Sequence, residues 1–290
     1  MNVLAKIDPD SEEKDRIIAE EIERMRRNWM MHASQPYGNF EQLFVEDLSY
    51  RELERLHLHY TLKINSASIA RDGLCSRIGA NSNGLDDQEA IYFSYGLEAA
   101  LHCFDVWLKW RLNRMYNPGA VGASNRFKLS QDERRQAARY AINWMVYMAS
   151  RVYLTDEHKI QRLFEWMYAE LSNADYFALG LRPYVDYDPQ QEDPKKECAG
   201  LANYAREIYG AGISTNFDSP RADKWNLSTP LGKSVRIPRE KIRQICLHDG
   251  HNDAYSILQF FYDRYLTECE LDGRRPAAFA LLGRFLDYRR

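Results

Sequence analysis

Three short groups of residues hold the side chains best suited to chemistry. The first is His57-Leu58-His59-Tyr60-Thr61, the second Gly73-Leu74-Cys75, and the third Ile91-Tyr92-Phe93-Ser94. Histidine changes charge near neutral pH and can donate or accept through its ring nitrogens. Tyrosine adds a rigid ring whose face attracts cations. Other chemistries compete. Cys75 with His59 as base would be a nucleophile pair, but nothing nearby reads as an orienting third residue. His248 and His251, close to Asp249 and Asp253, suggest a metal site, although their spacing is not a known ligand pattern and a turn into a capped helix accounts for them equally. Taken singly, His59 is also an ordinary hydrogen-bonded histidine at a sheet edge, and Tyr92 and Phe93 are ordinary core residues.

The elements that must position these groups follow from local pattern. Residues 57–61 alternate polar and apolar, the period of a half-buried strand. Residues 66–71 have room for little more than one helical turn, with Ser66 able to cap its start and Asp72-Gly73 supplying the stop. A loop rich in Gly, Asn, Ser and Asp occupies 79–87. Residues 90–94 read as a second strand, broken by Gly96 before a helix. The order is strand, short helix ending in glycine, polar loop, strand, helix.

That order, with those residues, resembles the ADP-ribosyltransferase fold, in the branch that has a His and a Tyr in its NAD site. The residues carrying the resemblance are His59-Tyr60-Thr61, Gly73-Leu74 and Ile91-Tyr92-Phe93-Ser94, so it covers residues 56–101. It implies a small split antiparallel sheet with a large helical part packed beside it, an α+β class. It also implies an NAD-using mono-ADP-ribosyltransferase that modifies a protein or nucleic-acid target, a role open to a toxin or effector, with NAD as substrate and no metal. His59 would hydrogen-bond a ribose hydroxyl, Tyr60 and Thr61 would support the strand edge, Tyr92 would stack on the nicotinamide, and Ser94 would fix the ribose or the strand. Gly73 belongs to the same cofactor-binding set. The departure is the third motif, a Glu on a late strand, which this chain lacks. Glu98 and Glu240 are the substitutes on offer, neither at a clean match. A missing positioned acid or base is typically worth ~10²–10⁴-fold in rate. Two further readings therefore stand beside the transferase: a non-catalytic binding or regulatory protein that keeps the fold, and a nuclease using His59 with a second histidine such as His251.

Composition sets the bounds. The chain has 290 residues, 45% hydrophobic and 28% charged, ordinary values for a globular protein rather than a disordered one. A net charge of −3 argues against a strongly electrostatic nucleic-acid binder, though not against a local basic patch. Five cysteines without a CxxC pair favour neither zinc nor a disulfide framework, and point to a reducing, cytoplasmic setting. No apolar run has transmembrane length, and the first residues lack the apolar stretch of a secretory signal, so export would need a signal-less route.

The remainder reads as support within a single domain: N-terminal helices over 1–55, the motif region over 56–101, a helical insertion over 102–181, and late strands with C-terminal helices over 182–290. A helix over 10–31 carries Ile18, Ile22, Met25 and Trp29 as one stripe, and Ser49 with Glu52 forms a capping box. Leu97, Leu101, Phe104, Leu108 and Leu112 predict a long helix; a second capping box, Ser130 with Glu133, predicts another. Ile160, Phe164, Met167 and Leu171 predict a third. Residues 182–198 read as a linker and 210–212 as a turn. Strands are expected over 233–237 and 242–247, a helix capped by Asn252, and a last helix beginning at Pro276.

Overall fold

The structure, a computed structural model, describes residues 40–75, 91–116, 155–179, 228–231, 236–276 and 279–288, with helical residues at positions 16, 19–20, 23–24 and 27. The N-terminal helix is otherwise outside these residues. So are the 79–87 loop, the Ser130/Glu133 capping box, the 182–198 linker, the 210–212 turn and residues 233–235.

Among the described residues eight strands form two sheets. Strands β1 (Glu41–Phe44), β2 (His57–Leu62), β4 (Ile91–Tyr95), β5 (Ala174–Leu179), β6 (Ser228–Leu231) and β8 (Ile242–Cys246) make one six-stranded sheet in the order β1-β8-β5-β2-β4-β6. Strands β3 (Leu74–Cys75) and β7 (Arg236–Ile237) pair separately. The sheet is thus split as expected, but mixed: β1 runs parallel to β8, and the other pairs are antiparallel. Helices are α1 (Tyr50–Leu53), α2 (Ser66–Asp72), α3 (Leu97–Tyr116), α4 (Glu157–Leu171), α5 (Ala254–Leu271) and α6 (Ala280–Asp287). The fold is α+β.

One side of the large sheet carries the apolar core. Leu58, Tyr176, Ala178 and Ile245 meet Leu97, Leu101, Phe104, Leu108 and Leu112 from α3, the whole of the expected stripe. Helices α4, α5 and α6 complete this layer with Ile160, Phe164, Met167, Leu258, Phe261, Leu282 and Phe285. Each buried side chain of this size removes enough apolar area to contribute about 1.5–3 kcal/mol.

Several boundaries differ from the sequence reading, each for a local reason. The strand β5 lies in the stretch expected to be helical and sits at the centre of the sheet. Helix α2 starts without a side-chain cap, because the Ser66 hydroxyl points into the sheet instead. Asp253, not Asn252, caps α5 by accepting from Tyr255 and Ser256 N–H, while Asn252 accepts from Leu247 N–H. The last helix begins at Ala280 rather than Pro276, which is exposed. The Ser49/Glu52 capping box forms as expected, and the hydrogen bonds from Ser49 hold the Glu52 carboxyl below its ordinary pKa.

Candidate functional site

Strand β2 divides its side chains between two surroundings. Leu58, Tyr60 and Leu62 face the helices, and the alternation turns His57, His59 and Thr61 to the other side. Tyr60 is therefore a core residue. Its ring packs edge-on against Phe104, Trp107 and Tyr176, and its hydroxyl donates to Glu170 Oε1 at 3.1 Å. Burial, then the Glu170 charge, pushes its pKa well up, so the phenol stays protonated. Glu170 also binds Arg111 at 2.7 Å, and that guanidinium stacks on Trp107 and Trp166. This network was invisible in the sequence because its members lie far apart along the chain.

The opposite side of the sheet is polar. His57 is buried, and burial pushes its pKa down to about 3, so it is neutral. His59 is half-buried and stands opposite Phe177 in the ladder. Phe177 packs against Phe40 at 4.9 Å, and the Arg239 guanidinium lies over that Phe40 ring. Thr61 is opposite Asp175, which is only 1% exposed. The Ser66 hydroxyl donates to Asp175 Oδ2 at 3.3 Å, and Asn65 Nδ2 donates to Thr61 Oγ1 at 3.0 Å. Cys246, fully buried, has its thiol pushed up to about 11, first by burial and then by the Asp175 charge.

Helix α2 joins the two sheets on this side. It packs on the 3-10 turn Arg239–Lys241, and its end is fixed by Gly73 at φ +75°. A Cβ on Gly73 would stand 2.1 Å from the Ile237 carbonyl oxygen, so only glycine lets the backbones of α2 and β7 approach this closely.

Strands β2 and β4 are antiparallel neighbours, with Leu58 paired to Ser94. The first and third sequence groups are therefore side by side. Ser94 hydrogen-bonds the Cys103 thiol of α3 and so serves the strand–helix junction, not the His59 side. Tyr92 pairs with Pro230 of β6.

The two expected carboxylates part company. Glu98, in the first turn of α3, accepts from the Tyr50 hydroxyl at 2.6 Å and lies 3.4 Å from Arg274. Its backbone N–H donates to Glu54 Oε1 at 2.9 Å. Glu54 is pushed up to about 8, first by burial and then by the Glu98 charge, while the Glu98 and Leu97 N–H groups oppose the shift. Gly96, at φ +86°, admits this arrangement: a Cβ there would stand 2.7 Å from the Glu54 carbonyl oxygen. Glu240 is exposed in the 3-10 turn against which α2 packs.

The histidine cluster resolves into a different contact. His248 stacks on Phe44 at 4.5 Å and its Nε2 lies 2.7 Å from Asp47 Oδ1, joining the ends of β1 and β8. The His251 N–H donates to the Asp249 carboxylate. Among the described residues no group of three His, Cys, Asp or Glu is arranged to hold a metal ion, and the four described cysteines are free. Cys75 is exposed and pairs with Arg236.

Sequence reasoning missed Asp175. Its signal was present: Ala174-Asp175-Tyr176-Phe177-Ala178-Leu179 is a short, nearly continuous apolar run with one charge, the pattern of a central strand. No family model, curated protein or solved structure matches this chain. Among the described residues no helix is long and apolar enough to cross a membrane.

Proposed function

We propose that this chain binds NAD on the His59 side of its sheet and transfers ADP-ribose to a macromolecular target. The observation that carries the reading is the pairing of β2 with β4 around a short helix that ends in Gly73. This is the arrangement expected from a resemblance to the ADP-ribosyltransferase fold. A half-buried imidazole is suited to hydrogen-bond a ribose hydroxyl, and the small β3–β7 sheet gives that side a second wall. NAD would bring the glycosidic bond to be broken; the chain's residues would hold and orient it.

One observation favours a second reading, a binding or regulatory protein with no turnover. Glu98 is engaged with Tyr50 and Arg274 and caps no part of the His59 strand, so it is already committed to the helix junction. Glu240 alone of the two stays exposed beside α2.

The test is NAD binding by calorimetry together with nicotinamide release, on wild type and His59→Ala. Saturable binding lost in His59→Ala supports a site on the His59 side of β2. Release of nicotinamide separates the enzyme from the binding protein, and Glu240→Gln should then lower release while sparing binding. A wild-type chain that ignores NAD ends both readings.

A further inference from the structure

The strongest unassigned group is the carboxylate of Asp175. It is 1% exposed on a central strand, on the polar side of the sheet rather than in the ion-paired helical layer. Taking a carboxylate out of water costs several kcal/mol unless bonds to it repay the loss. A carboxylate kept at such a cost marks a place where orientation matters.

What it orients is legible in its contacts. Asp175 accepts from the hydroxyl of Ser66, the first residue of α2. Directly opposite it in the ladder, Thr61 accepts from Asn65, the residue before the helix. The helix start is therefore held to β5 and β2 by two side-chain bonds. Its buried Ile69 fixes the middle, and Gly73 abuts the Ile237 carbonyl at the other end. Helix α2 is thus held at its start, middle and end, and its last contact is with the small sheet.

We propose that Asp175 is a positioning residue for the dinucleotide site, acting through Ser66 to set α2, and with it Gly73 and the small sheet, against the His59 strand. This assignment rests on the NAD-binding reading above. It makes Asp175 a part of the site that never touches the ligand.

The test uses the full chain and NAD itself. Ser66→Ala, Ser66→Thr and Asp175→Asn are compared with wild type by calorimetric NAD affinity and by thermal unfolding. Ser66→Ala, measured well below its own unfolding temperature, which the lost bond to the buried carboxylate should lower, should weaken NAD binding about tenfold, since a small displacement of a positioned group is costly to binding. Ser66→Thr keeps the hydroxyl and should restore affinity to near the wild-type value, a rescue that a merely structural role would not show. Asp175→Asn should weaken binding at least as much as Ser66→Ala. Wild-type binding with unchanged affinity in Ser66→Ala overturns the assignment and leaves the NAD site standing, even where Asp175→Asn fails to fold. No binding by wild type removes the NAD reading and the assignment together.

Discussion

At the scale of single residues, Glu54 gives the sharpest expectation. Its folded pKa is raised to about 8 from the ordinary 4.5. A raised carboxyl means that the folded state holds a proton that the unfolded chain gives up. Stability linked to Glu54 is therefore whole below pH 4.5 and falls as the pH climbs from 4.5 to about 8, with a slope of up to about 1.4 kcal/mol per pH unit. Glu54→Gln, which keeps an oxygen for the Glu98 N–H, should flatten that fall and raise the melting temperature at pH 8 more than at pH 5. Thermal melts by circular dichroism at the two pH values check it; an equal gain at both would refute the linkage. His248 offers a second case of the opposite charge type. Its hydrogen bond to Asp47 raises its pKa, so the protonated pair is present at low pH and is lost as pH rises through the raised value. Asp47→Asn should return the His248 titration midpoint, read by NMR, toward the ordinary 6.5. None of this was readable in the sequence. His248 reads as half of a metal site and nothing in the sequence singles out Glu54, because both effects depend on partners brought in by folding.

At the scale of elements, the sequence was most informative where periodicity is strong and least where a residue's partner lies across the fold. The stripe of α3 was complete down to Leu112 because a long helix repeats its signal turn after turn. The six residues of β5 repeat theirs too few times, and they follow directly on the helical pattern of α4. Ser66 illustrates the same limit at a helix start: its type suits a cap, but the buried Asp175 carboxylate claims the hydroxyl. Two expectations belong here. Gly73→Ala should destabilise the chain by about 2 kcal/mol or more in chemical denaturation, from the positive φ and the collision with the Ile237 carbonyl. Glu170→Ala should cost about 3–5 kcal/mol by leaving the buried Arg111 without its carboxylate. The double variant Arg111→Met/Glu170→Leu should recover much of that loss, since removing both charges removes the uncompensated one. A double variant as unstable as Glu170→Ala alone would show that shape, not charge, governs the site.

For the whole molecule, the topology makes the last fifth of the chain indispensable. Strand β8 lies between β1 and β5, and α5 and α6 close the core over the sheet. A chain ending at residue 235 should show no cooperative unfolding transition, because β1 would lose its neighbour and the core its helical cover. The same topology explains why the fold class was legible while the candidate site was only half so. An α+β class follows from which elements exist. The site follows from which side of β2 each residue takes, and β5, the strand that identifies the polar side through Asp175, was not recognised as a strand. Among the described residues the large sheet is bounded by β1 and β6, each four residues long. Strand β6 includes Pro230, which has no N–H to offer, and β1 begins with exposed Glu41 and Gln42. Margins this short, charged at one side and interrupted at the other, give a second copy little ladder to extend. The sheet is thereby guarded against edge-to-edge aggregation, the hazard that accompanies any open sheet when the protein is concentrated.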